Sequence, residues 1–110
     1  MKPTAPTQLS PALALVQLLS ENPGLPAIHW SIRPDGILDG HLWDTDTRAT
    51  AELYRQILGI TSAITMSYRH QGQLMVSEDM TVTWRDVRIR LSFRSLASVY
   101  GVTTLMAAVA

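Results

Sequence analysis

Apolar and polar positions divide this chain into two helical stretches and five alternating ones. Residues 1–8 precede them as a flexible lead rich in Pro and Thr. Ser10-Pro11 then predicts a helix start. The Ser hydroxyl accepts from an orphan amide, and Pro at the first helical position forfeits no hydrogen bond. This helix runs to about Glu21, and Asn22-Pro23-Gly24 ends it. Leu13, Leu15, Val16, Leu18 and Leu19 cover more than one side, which predicts a well-buried helix.

Alternation follows. Ile28, Trp30 and Ile32 point one way, and His29, Ser31 and Arg33 the other. Pro34-Asp35-Gly36 is a three-residue hairpin loop that pairs Arg33 with Ile37. The register then sets Ile32 opposite Leu38, Trp30 opposite Gly40, His29 opposite His41 and Ile28 opposite Leu42, with all the apolar pairs on one face. Asp44-Thr45-Asp46-Thr47 supplies caps and acidic charge for a second helix, from about Thr47 to Leu58. Its expected stripe is Ala49, Leu53, Ile57 and Leu58, and Gly59 is its stop.

Three strands come next. Ile64, Met66 and Tyr68 alternate with Thr65, Ser67 and Arg69. Leu74, Val76, Met80, Val82 and Trp84 share one parity that Glu78 breaks, and a bulge near Glu78-Asp79 is the expected cause. After a two-residue turn at Arg85-Asp86, Val87, Ile89, Leu91 and Phe93 point inward, while Arg88, Arg90, Ser92 and Arg94 point outward. The order α-β-β-α-β-β-β predicts an α+β two-layer sandwich: a largely antiparallel sheet of about five strands with two helices on one face. Residues 95–110 carry no charge and read as an apolar tail, packed on its own domain or on a partner. Within it Val99, Val102 and Thr103 favour strand, and Leu105 to Ala110 favour helix.

With 110 residues, the chain is one domain spanning 1–110. Nine basic and nine acidic residues cancel, which argues against a strongly basic nucleic-acid packager. The absence of Cys excludes a disulfide scaffold, a thiolate zinc site and a cysteine nucleophile. No stretch reaches the ~20 apolar residues of a membrane span, and Leu13 to Leu19 is short for a signal core and broken by Gln17. The expectation is a soluble cytoplasmic protein.

No catalytic motif is present. His29 and His41, facing each other across the hairpin, are a weak candidate metal pair, with Asp39 and Asp44 as further oxygen ligands. A solvated strand face explains them as well, so no metal or cofactor is expected. Glu78 and Asp79 point to opposite faces and make a poor acid pair. Arginine is more suggestive: Arg85, Arg88, Arg90 and Arg94, with Thr81 and Thr83 across the hairpin, form a surface able to contact phosphates. The plainer reading is a solvated row. Charges ~7 Å apart repel by only ~0.6 kcal/mol in water, and arginines on an edge strand discourage aggregation. Phe93 and Trp84 point inward, away from this row. Ile37 and Trp43, outward by register, are candidates for a contact patch, and Met66 and Met80 are expected to fill core gaps.

The strand Pro26-Ala27-Ile28-His29-Trp30-Ser31, the Pro-Asp-Gly turn, the acidic cap and the helix ending Ile57-Leu58-Gly59 resemble small uncharacterised α+β proteins of high-GC actinobacteria and their mobile elements. Trp84-Arg85-Asp86-Val87-Arg88 resembles their later hairpin. The resemblance covers about half the chain and leaves out the tail. Its motifs are structural, so it implies the fold and a bacterial cytosolic setting and no activity. The functional expectation is a non-enzymatic protein-interaction module, homodimeric, acting through its sheet face or its C-terminal tail. The alternative is a small nucleic-acid-associated protein using the arginine strand, and an enzyme comes third.

Overall fold

Two helices lie on one face of a single twisted sheet. The computed structural model describes residues 8–101 and 107–109, so the lead expected at 1–8 lies almost wholly outside them. Helix α1 spans Leu9–Glu21 and α2 spans Arg48–Leu58. The strands are β1 (His29–Ile32), β2 (Leu38–Trp43), β3 (Ile64–His70), β4 (Gln73–Trp84), β5 (Val87–Leu96) and a short β6 (Ala107–Val109). Their order in the sheet is β1-β2-β5-β4-β3-β6. Every pairing is antiparallel except β2 with β5. The α+β sandwich expected from the periodicities is the observed one, with β6 as an added sixth strand. Residues 107–109 are thus a strand on the edge of β3, where the tail's end was expected to favour helix.

The first hairpin has the expected register, from His29 opposite His41 to Ile32 opposite Leu38, and the Arg33 N–H donates to the Ile37 carbonyl at 2.9 Å. The Arg85-Asp86 turn closes with positive φ at both residues, 51° and 66°. That geometry matches the twist of the flanking strands without the usual glycine. The inward faces of β2, β4 and β5 and the sheet-facing stripes of both helices share one core, centred on Leu18, Leu38, Tyr54, Ile89, Leu91 and Phe93. Ser95, also inward on β5, anchors α2: its hydroxyl accepts from the Thr47 N–H at 2.8 Å and lies 2.8 Å from the Thr47 hydroxyl. Asp46 Oδ1 accepts from the Arg48 N–H at 3.1 Å, and the Arg48 side chain holds the Asp46 carboxyl down at about 2.

Five expectations are corrected. Helix α1 starts at Leu9 rather than at Ser10-Pro11, which leaves Pro11 still inside the first turn, where no N–H is needed. It fully buries only Pro11, Ala14 and Leu18, with Leu15 packed partly buried beside them, because a two-layer sandwich offers a helix one neighbouring surface, and Leu9, Leu13, Val16 and Leu19 face outward. Helix α2 turns Ala51, Tyr54 and Leu58 inward and leaves Leu53 and Ile57 exposed. Tyr54 buries its ring and donates its hydroxyl to the Pro26 carbonyl at 2.7 Å, so it serves as core despite its polar tip. Strand β4 carries no bulge: its register with β5 runs unbroken from Met75 to Trp84, and Glu78 points inward, half-buried beside Glu52 and Arg55 of α2. Met80 is core, but Met66 is exposed on the opposite face of the sheet.

Candidate functional site

The face of the sheet away from the helices is concave. The Trp43 and His70 rings lie 4.9 Å apart, although β5 and β4 separate their strands. On a flat sheet those strands would stand ~14 Å apart, with side chains roughly perpendicular. The sheet therefore curls until these side chains meet over its floor. Small Ser77 and Ser92 occupy this face of the central strands, while Trp43, Tyr68 and His70 stand further along it.

Pairing arranges the face in rows. One row runs Ser31, Asp39, Arg90, Thr81, and the next runs His29, His41, Ser92, Asp79, Ile64. A third runs Trp43, Arg94, Ser77, Met66. Over the first two rows and Arg94 lies a trough of about 600 Å³, lined by Arg33, Asp39, His41, Asp79, Thr81, Arg90, Ser92 and Arg94 among others, while Trp43 and His70 border a separate hollow.

The arginines in it are unequal. Arg33 is tied to Asp35 at 2.8 Å and lies 3.9 Å from Asp39. Arg94 lies over two aromatic rings, 5.3 Å from the centroid of Trp43 and 5.7 Å from that of Tyr68. Among the described residues neither Arg90 nor Arg94 makes an ion pair. Between them on β5 stands Ser92, whose hydroxyl is buried and has no hydrogen-bond partner. The Tyr68 hydroxyl is in the same condition, and Asp79 accepts from the Ser77 hydroxyl at 3.3 Å.

Thr81 and Thr83 face Arg90 and Arg88 across the hairpin, as expected. The arginine strand β5 is central and paired on both sides, so its arginines do not guard an edge. Arg85 is absent from this surface. It stacks on Trp84 at 4.1 Å and pairs with Glu21 of α1 at 2.5 Å, where it holds the Glu21 carboxyl below its ordinary value. His29 and His41 stack at 5.2 Å, and no group of three or more metal-ligating side chains forms among the described residues. Trp43 is exposed beside Arg94, while Ile37 is half-buried at the hairpin loop, outside the trough. Ser92 makes no hydrogen bond to His41, its neighbour on β2.

Asp39, Asp79, Ser92 and Tyr68 did not stand out in the sequence as members of one site. The β4–β5 hairpin sets Asp79 opposite Ser92, and the parallel register of β2 on β5, which joins strands separated by α2 and a hairpin, adds Asp39. No family model, curated protein or solved structure matches this chain. No helix among the described residues is long and apolar enough to cross a membrane.

Proposed function

We propose that the protein is a non-enzymatic binding module whose working surface is the trough, and that its ligand presents an oxyanion to Arg90, Arg94 and Ser92. The observation that carries this reading is the buried Ser92 hydroxyl, unpartnered between two guanidinium groups that have no carboxylate. An unsatisfied buried hydroxyl costs ~1–3 kcal/mol, and an anionic acceptor placed there removes that cost while pairing both arginines. The volume of about 600 Å³ suits a discrete ligand, since pockets for small molecules run ~300–1,000 Å³. Asp39 and Asp79 flank the cations, which favours a ligand carrying hydrogen-bond donors beside its oxyanion and disfavours a continuous polyanion. The nucleic-acid reading is weakened further because Arg85 is held against α1.

The test is titration with inorganic phosphate at low salt, followed by tryptophan fluorescence, because Trp43 touches Arg94. Saturable binding is expected. Replacing both Arg90→Ala and Arg94→Ala should weaken it by about tenfold or more, since each charged hydrogen bond is worth ~1.5–3 kcal/mol. Arg69→Ala, on the other face of β3, should leave it unchanged. No saturation, or equal loss in all variants, would reject the reading. A DNA duplex that binds with a log K against log salt slope of about −2.7, the value for three phosphate contacts, would make the strand a nucleic-acid surface instead.

A further inference from the structure

The outward side of α1 exposes Leu9, Leu13, Val16 and Leu19 at 51%, 53%, 64% and 42%. Isolated exposed apolar residues are ordinary, but four along one short helix form a stripe. The residues beside it are Ser10, Gln17 and Ser20, which carry no charge. The helix's one charged residue, Glu21, is held by Arg85 of its own chain.

We propose that α1 of a second copy covers this stripe, running antiparallel about a two-fold axis at the level of Ala14. A two-fold interface must be self-complementary: if one residue meets another, the second must meet the first. The stripe satisfies this. Reversing it about Ala14 brings Leu9 onto Leu19 of the second copy and Leu13 to within one residue of Val16 of the second copy. Charge selects the occupant and the direction. A neutral face desolvates no ion against a copy of itself, whereas a charged partner would have to bury unpaired groups. Parallel packing would gather both Glu21–Arg85 pairs at one end, and antiparallel packing separates them and opposes the helix dipoles. This inference stands apart from the trough, which opens on the other face of the sheet.

The natural absence of Cys makes the test clean. Two chains, one carrying Leu9→Cys and one carrying Leu19→Cys, are oxidised mildly, alone and as a mixture. The mixture is expected to form covalent dimers, and neither chain alone is, because ten helical residues separate the two positions by ~15 Å. Light scattering should give the unmodified protein about twice its 12.2 kDa mass. Leu13→Glu with Val16→Glu should return it to one chain with unchanged circular dichroism. Three results would overturn the proposal: a monomeric natural chain at high concentration, equal crosslinking by either chain alone, or a dimer that survives the glutamates. A natural chain that is monomeric yet binds phosphatidylcholine vesicles would assign the stripe to a lipid surface and also overturn it.

Discussion

At the scale of single residues, Gly40 on β2 is held by the space its neighbours leave. A Cβ there would lie 2.7 Å from Ile28 Cδ1, 2.8 Å from Leu91 Cδ2 and 2.9 Å from Trp30 Cζ3. Its φ is not positive, so the glycine is needed for space rather than for backbone freedom. Three side chains, Trp30 of β1, Leu91 of β5 and Ile28 just before β1, crowd the position and would all have to shift. Gly40→Ala is therefore expected to cost ~1–3 kcal/mol, the usual range for overpacking, measured by urea unfolding. Gly24→Ala, with nothing within 4 Å, should stay within ~0.5 kcal/mol of the natural chain. Part of this was legible beforehand: the Pro34-Asp35-Gly36 loop sets Trp30 opposite Gly40. The contact with Leu91 was not, because it depends on β5 lying beside β2.

At the scale of elements, alternation located the strands but not their neighbours. β5 is the cleanest alternating stretch in the sequence, yet nothing local shows that it inserts between β2 and β4. The helix stripes failed for a related reason. Counting apolar residues on α1 and α2 cannot tell the side that meets the sheet from a second apolar side left outward. β4 makes the clearest case. Its Glu78 suggested a bulge, but the strand stays regular and buries the carboxylate instead. Burial pushes the Glu78 carboxyl above its ordinary value of 4.5, and Glu52 nearby adds to the rise. The folded chain thus holds this proton more tightly than the unfolded chain does. Ionised Glu78 is a destabilising term at neutral pH, one that disappears as the pH falls through the folded value to below 4.5. Glu78→Gln should accordingly raise the melting temperature at pH 7. The gain should shrink to nothing in acid. A thermal unfolding series from pH 7 to pH 3 checks both parts. A gain that persists below pH 4 would mean that packing, not ionisation, is what the substitution changes.

At the scale of the whole molecule, the two faces of the sheet have opposite character. The outward side of α1 presents uncharged apolar side chains, and the bare face of the sheet gathers arginines, aspartates and serine hydroxyls in a trough. Net charge zero conceals this division, since it sums over both sides. A dimer built through α1 would join the helix layers back to back and leave both troughs open, facing away from each other. Neither copy would then supply a side chain to the other's trough, so association and ligand binding should be energetically independent. Changes at separate sites usually add within ~0.3–0.5 kcal/mol, which is about a twofold change in affinity. The Leu13→Glu, Val16→Glu chain is therefore expected to bind phosphate within about twofold of the natural chain, one phosphate site per chain, while losing its partner. Titrating both proteins under one buffer measures this directly. A larger loss in the glutamate chain would mean that the trough depends on the second copy, which is incompatible with the sheet lying between them.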